Sequence, residues 1–229
     1  MGFSYAPATA TTQVRTGVER ATLARRTYGL VFLSVLVTMG GVAFAGTQPG
    51  LMQAVWAHPF LSFLAVLAPL FLAQMNARSF PRNVILTLLF TFVEGVYISP
   101  FLYLMQQQAP GAVGQAGILT FSAFGALSLY GLTSRRDFSA WGSFLTVGLL
   151  VLIVALIINS FVASVGAYLW LSAVGVLLFS GLLVFDTWRL LRSGEFGQDD
   201  YVFAAVRIYL DLLNMFMFIL SLLGGGRRR

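Results

Sequence analysis

Long apolar runs alternate with short polar stretches along the chain. Each run has about the 20 residues that a helix needs to cross the hydrocarbon core of a bilayer. The runs lie near 27–46, 57–77, 83–106, 115–134, 139–159, 166–188 and 202–223. The pattern predicts an all-α membrane protein, a bundle of seven transmembrane helices.

Two short segments flank the predicted membrane domain, which covers residues 27–223. Residues 1–26 form a polar, Arg-containing lead, and residues 224–229 form a Gly/Arg tail. The small-x-small stretch at 43–45 resembles a signal-peptide cleavage site, but a signal h-region is only about 7–15 residues long. We therefore expect the first apolar run to be a true span.

Composition narrows the class of protein further. Charged residues make up only 10% of the chain, against about 25% in a soluble domain. The absence of cysteine excludes disulfides and zinc-thiolate sites, and the single histidine, His58, cannot build a histidine metal cluster alone. We expect no bound cofactor.

The charge is strongly basic but unevenly placed. All 14 basic residues are Arg, and the net charge is +6. Arginines occupy the lead and every second connection, whereas the other connections before the tail hold none. The positive-inside rule then predicts a cytoplasmic N-terminus and explains the charge without nucleic acid. With seven spans, Arg227–Arg229 lie on the side opposite the cytoplasm. If the last apolar run is re-entrant, they lie in the cytoplasm with the other arginines.

Three carboxylates fall inside predicted spans, where a charge costs about 2.5–3.5 kcal/mol on insertion scales. Such residues face the protein interior or a wet cavity and are functional candidates. Glu94 lies in TFVEGVYISP, where Gly95 and Pro100 weaken the helix. It either lines a polar cavity as part of an ion pathway or is a protonated side chain bonded to a neighbouring helix.

Asp186 and Asp211 lie in the sixth and seventh predicted spans. Asp186 could pair with Arg189, and Asp211 with Arg207 one turn earlier in its helix. Asn214 lies on a similar face to Asp211 and offers another oxygen. Alternatively, the two carboxylates meet where these consecutive, antiparallel spans pack, provided that residues 201–207 lie partly in water.

A meeting of Asp186 and Asp211 would make a pH sensor without histidine. Two carboxylates in a site of low dielectric constant hold one proton between them. Protonated, they bond to each other and hold the helices together. Ionised, they repel each other and need an Arg or a cation to compensate. The pair would therefore bias a two-state helix arrangement.

Four motifs, in order and spacing, resemble the Bax inhibitor-1 family, also called the transmembrane Bax inhibitor motif family. They are FTFVEGVYISP, GILTFSAFGALSLYG, VFDTWRLL and RIYLDLLNMFMFIL. The resemblance covers residues 20–224. It implies a bacterial member with seven helices, with the last near the centre of the bundle, acting as a pH-sensitive calcium leak.

The resemblance also implies roles for individual residues. The family's aspartyl dyad corresponds to Asp186 and Asp211, which would contact Ca²⁺ weakly and transiently. A basic residue that ends the family's second helix latches onto the dyad, and Arg78 is the nearest candidate, about one position from the expected place. Arg207 is a second candidate partner. An acidic residue found in the second helix of some relatives has no counterpart in 57–77.

Three hypotheses for function remain. The first is a proton-gated cation leak in the bacterial cytoplasmic membrane, with Ca²⁺ as the permeant ion and Glu94 and Asn214 along the pathway. The second is a membrane-embedded regulator of a protease or stress-response partner, which would bind through the lead and the acidic stretch 195–200. The third, an intramembrane enzyme, is disfavoured because the chain lacks a GxGD-type setting and His58 lies in a loop. We expect no enzymatic activity.

Overall fold

The computed structural model describes residues 17–76, 78–192 and 196–225, and the described chain is helical almost throughout. The helices are α1 (Gly17–Gly46), α2 (Pro49–Ala57), α3 (Pro59–Met75), α4 (Arg82–Gln108), α5 (Ala112–Thr133), α6 (Trp141–Val162), α7 (Val165–Arg192) and α8 (Tyr201–Gly225). A 3-10 turn at Gln198–Asp200 leads directly into α8. The predicted all-α membrane fold is confirmed.

Six of these helices are long and apolar enough to cross a membrane alone, and α2 with α3 would make a seventh span if counted together. The axes of α2 and α3 differ by 103°. We expected one span at 57–77 after a simple connection, so the short helix α2 was not anticipated. The bend occurs at His58 because the residue before a proline, here Pro59, is disfavoured in helical conformation.

The last helix lies at the centre of the bundle, as predicted. It packs against α1, α4, α5 and α7, whereas α3 packs mainly on α4, and α6 mainly on α7. Its buried face includes Ile208 and Met215, which are fully enclosed. The helix runs without a break from Tyr201 to Gly225, which favours the continuous span over the re-entrant run. The side of Arg227–Arg229 lies outside the described residues.

Two glycines allow α1 and α4 to approach closely. Gly41 faces the carbonyl oxygen of Phe92, and Gly95 faces the carbonyl oxygen of Thr38. A Cβ atom at either glycine would overlap the backbone of the other helix. Small residues at such crossings are typical of helices that pack within lipid, where van der Waals contact drives association. This crossing holds α1 against the helix that carries Glu94.

Several Arg-bearing connections meet at one end of the bundle, which we call the arginine end. Arg78, just after α3, is ion-paired with Asp200, just before α8. The guanidinium of Arg26 in α1 lies 5.9 Å from the centre of the Tyr201 ring. The helix α1 begins at Gly17, so part of the predicted polar lead is helical, while residues 1–16 lie outside the described chain.

Candidate functional site

The candidate site lies between α7 and α8, toward the arginine end. Asp186 of α7 and Asp211 of α8 are both buried, with exposed fractions of 6% and 5%. Their carboxyl groups lie within hydrogen-bonding reach of each other. The structure thus brings together the two carboxylates that the sequence placed in adjacent spans.

The two aspartates meet although they sit at different depths. Asp186 lies six residues from the end of α7, and Asp211 lies ten residues from the start of α8, an offset of about one helical turn, or roughly 5–6 Å. In a helix the Cα–Cβ bonds tilt toward the N-terminus. Because α7 and α8 are antiparallel, the side chain of Asp186 leans away from the arginine end, and that of Asp211 leans toward it. The two side chains therefore converge.

Arg207 also belongs to the site and lies at the same depth in the bundle as Asp186. Its Nε donates a hydrogen bond to Asp186 Oδ2 at 3.0 Å, which links α8 to α7. It is also close enough to interact electrostatically with Asp211, one turn further along its own helix. The guanidinium lies over the Phe203 ring, 5.9 Å from its centre, a distance at which a cation is attracted to the ring face.

The hydrogen bonding of the aspartates is incomplete. Among the described residues, no N–H or O–H group donates to Asp186 Oδ1 or Asp211 Oδ2, although both oxygens are buried. A buried carboxylate oxygen without a donor is costly. A proton held between two carboxyl groups in contact would lower that cost, because one of them then becomes a donor.

Arg78 does not lie at the dyad. Its Nε and Nη2 donate to Asp200 Oδ1 and Oδ2 at 2.9 and 3.3 Å. These hydrogen bonds and the charge of Asp200 raise the pKa of the Arg78 guanidinium. Asp200 Oδ2 also accepts a hydrogen bond from the backbone N–H of Gly197. Of the two candidate partners, Arg207 contacts the dyad, and Arg78 ties the end of α3 to the turn before α8.

The two pathway candidates, Glu94 and Asn214, do not bond to the aspartates. Glu94 of α4 is partly buried and interacts electrostatically with Tyr97 and Tyr209. Asn214 Nδ2 donates to the Leu210 carbonyl of its own helix at 2.8 Å. Within the described chain, neither residue hydrogen-bonds to Asp186 or Asp211. Glu94 thus reaches the surroundings of α8 from α4, whereas Asn214 lies on α8 itself, one turn beyond Asp211.

Sequence reasoning missed a hydroxyl contact next to the site. The hydroxyls of Tyr28 in α1 and Thr187 in α7 lie 2.9 Å apart, and Thr187 directly follows Asp186. The two residues are 159 positions apart along the chain. A single Tyr or Thr in an apolar run is unremarkable, so no sequence signal identified them. The contact fixes α7 against α1 at the level of the dyad.

The carboxyl groups at the site do not form a closed metal cage. The part of the chain that the structure describes contains no group of three or more His, Cys, Asp or Glu side chains that could hold a metal ion. Calcium takes six to eight oxygen ligands, and the dyad offers two carboxyl groups with a guanidinium beside them. Within the described chain, the aspartate pair therefore supplies too few oxygens for a resident calcium ion.

Comparison with known proteins identifies relatives along nearly the whole chain. The family described as "Inhibitor of apoptosis-promoting Bax1" matches residues 20–228. An uncharacterized membrane protein of Vibrio cholerae is 35% identical over 218 residues, covering 94% of this chain and 95% of that protein. The Golgi anti-apoptotic protein of Vaccinia virus (strain Lister) is 30% identical over 224 residues, covering 96% and 91%. An uncharacterized protein of Neisseria meningitidis serogroup A is 32% identical over 212 residues, covering 90% and 92%.

Proposed function

Because the chain is a membrane protein of the Bax inhibitor-1 family, we propose that it is a pH-sensitive cation leak whose gate is the pair Asp186 and Asp211. Ca²⁺ is the proposed permeant ion. The observation that carries the proposal is the contact between the two buried carboxyl groups, which belong to two different helices.

The charges at the site define two states. With one shared proton, the two carboxyl groups carry a single negative charge, which the guanidinium of Arg207 balances. When the proton leaves, the site carries an uncompensated negative charge in surroundings of low dielectric constant, and the carboxylates repel each other. Separation of α7 and α8, entry of a cation, or both would relieve that repulsion.

Proton loss can act on the whole bundle because α8 is its central helix. It touches four other helices, so a displacement at Asp211 changes several contacts at once. A packed interface that has two alternative arrangements amplifies a small local shift. We therefore assign the protonated, bonded pair to the closed state and the ionised pair to the open state.

The proposed route for the ion follows the polar side chains around α8. Glu94 offers oxygens on the α4 side of α8, Asn214 offers one a turn beyond Asp211, and the dyad carboxylates offer more toward the arginine end. A conducting site must bind its ion weakly enough to release it, and sparse oxygen ligands meet that condition. Calcium prefers such hard oxygen ligands to nitrogen or sulfur.

Location and orientation follow from the arginines. Juxtamembrane arginines mark cytoplasmic connections, so we place the arginine end and the N-terminus in the cytoplasm. The bacterial relatives support the bacterial cytoplasmic membrane as the location. The dyad would then sense protons that arrive from the cytoplasmic side, which is nearer to Asp186.

The experiment is calcium flux into liposomes that contain the purified protein, measured across the range from about pH 5 to pH 8. Asp211→Asn and Asp186→Asn should each remove most of the pH dependence, because the one aspartate that remains beside Arg207 has no second carboxylate with which to share a proton or to repel. Asp137→Asn is the matched control, since Asp137 lies exposed in the α5–α6 connection. A pH profile that both dyad variants leave intact would refute the gate.

A second candidate function is a membrane-embedded regulator without transport activity. One observation favours it: α6 packs mainly on α7 and leaves most of its apolar surface uncovered by this chain. A partner helix could cover that surface. Folded protein that passes no calcium at any pH would favour the regulator, and deletion of residues 1–20 should then abolish binding to the partner.

A further inference from the structure

A groove separate from the dyad opens on the side of the bundle, between α1 and α5. Both helices pack on α8, but they make little direct contact with each other. The gap between them has a volume of about 450 Å³. Residues of α4 and α8 form its floor, which includes Tyr209, Leu212, Leu213 and Phe216 of the central helix.

The lining of the groove is apolar. It contains no charged side chain, and the hydroxyl of Tyr209 is occupied by a 2.7 Å hydrogen bond with Thr38 Oγ1. The mouth lies between Met39 of α1 and Phe121 of α5, which are 60% and 49% exposed. The groove is therefore continuous with the surface that these spanning helices present to lipid.

The size of the groove restricts what can fill it. A helix about 10–12 Å across that spans about 30 Å of hydrocarbon occupies on the order of 3,000 Å³. A groove of about 450 Å³ cannot enclose a helix of a partner or of a second copy, which could insert only a few side chains. A hydrated ion would find no charged side chain in this lining, and the Thr120 hydroxyl is the one buried polar group of the lining that no described residue hydrogen-bonds. A single hydrocarbon chain is thin enough to enter the groove and needs no polar partner there.

The direction of the groove also suits a lipid. On α1 it extends from Ala43, near the end of the helix, to Val35 about two turns earlier. On α5 it covers the first half of the helix, from Val113 to Phe121. It therefore runs from the end opposite the arginine end toward the middle of the membrane. The tail of a phospholipid follows the same course from its headgroup.

We propose that this groove binds one acyl chain of a bilayer phospholipid, in the leaflet opposite the arginine end, so that the chain touches α8 beside Tyr209. The proposal does not depend on the calcium leak, since it concerns packing alone. Glycines form part of the wall: a Cβ atom added at Gly114 or Gly117 would meet no atom within 4 Å. A larger side chain at either position would extend into open space where the acyl chain lies.

The test uses vesicles of phosphatidylethanolamine and phosphatidylglycerol doped with phosphatidylcholine that carries a diazirine on one acyl chain. After illumination, mass spectrometry locates the adducts residue by residue. Lipid around the bundle will label exposed side chains such as Ile118. Leu212 is 4% exposed, and Leu213 and Phe216 are partly buried, so a chain inside the groove reaches these three side chains more readily than lipid around the bundle does. We expect adducts on this floor in the native protein.

Matched variants test whether the acyl chain reaches the floor residues through the groove. Gly117→Leu and Gly114→Leu should each reduce floor adducts several-fold, and two variants guard against one that fails to fold. Gly125→Leu is the control, because Gly125 lies on the same helix, has equally open space around it and does not line the groove.

Labelling of Ile118 should persist in all three variants and reports on folding and on the lipid supply. Absence of floor adducts while Ile118 is labelled would overturn the proposal, as would floor labelling that Gly117→Leu and Gly114→Leu leave unchanged. If detergent or a second copy of the chain fills the groove, Ile118 will be labelled and the floor residues will carry no adducts.

Discussion

Arg207 Nε donates to Asp186 Oδ2 at 3.0 Å, although Asp211 lies only one turn away on the same helix as Arg207. The cross-helix bond is possible because Asp186 and Arg207 lie level: each is six residues from the arginine end of its helix. The proposed gate therefore contains two carboxyl groups and one built-in cation. That cation should set the pH at which the pair loses its proton.

Arg207→Gln should move the midpoint of the flux-against-pH curve to higher pH by about one unit or more, the size of effect that a close opposite charge has on a carboxyl group. Without the guanidinium, ionisation is less favourable, so the pair keeps its proton to a higher pH and the leak opens later as pH rises. Calcium flux in liposomes measures the midpoint. Arg207→Lys, which retains the charge, should shift it much less, and a midpoint at lower pH in Arg207→Gln would contradict the assignment.

Arg78→Gln should leave that midpoint unchanged, because Arg78 bonds to Asp200 and not to the dyad. Its side chain is largely exposed, and ion pairs in water contribute little to stability. The same flux assay, run beside Arg207→Gln, separates the two arginines. A shift in Arg78→Gln as large as that in Arg207→Gln would mean that Arg78 acts on the dyad in another state of the protein.

The proximity of Asp186 and Asp211 could be predicted from sequence for a simple reason. Consecutive antiparallel spans with a short connection must pack near that connection, and both carboxylates lie within about three turns of it. The sequence did not predict that Arg207 would bond to Asp186 rather than to Asp211. This bond depends on the level of each residue relative to the helix ends, and α7 extends to Arg192, four residues beyond the predicted apolar run 166–188.

Other features depend on contacts between distant parts of the chain. The contact of Tyr28 with Thr187 joins α1 to α7, and no local pattern in either segment marks it. The bend between α2 and α3 is different, because its signal, a proline directly after His58, is present in the sequence. We placed the second span at 57–77 and treated the residues before it as a connection, so the helix Pro49–Ala57 was missed.

Gly41→Ala should destabilise the bundle, because the added Cβ would overlap the Phe92 carbonyl oxygen and force α1 away from α4. Overpacking of this kind costs about 1–3 kcal/mol. Thermal unfolding in detergent, followed by circular dichroism, measures the loss. Gly40→Ala is the matched control: it adds the same atom one residue earlier, where nothing lies within 4 Å, and its melting temperature should not fall. Equal melting temperatures for the two variants would contradict the close crossing.

Glu94→Gln should lower calcium flux at every pH while leaving the midpoint of the pH curve in place. The reason is that Glu94 lies with Tyr97 and Tyr209 on the α4 side of α8, where the described residues give it no hydrogen bond to the dyad. It would therefore supply an oxygen to the ion without taking part in the gate. Glu94→Asp keeps the carboxylate and should retain more flux than Glu94→Gln. If Glu94→Gln instead alters the pH profile as strongly as Asp211→Asn does, the gate must include Glu94 as a third carboxyl group. If neither variant alters flux, the ion takes a path that avoids this face of α8.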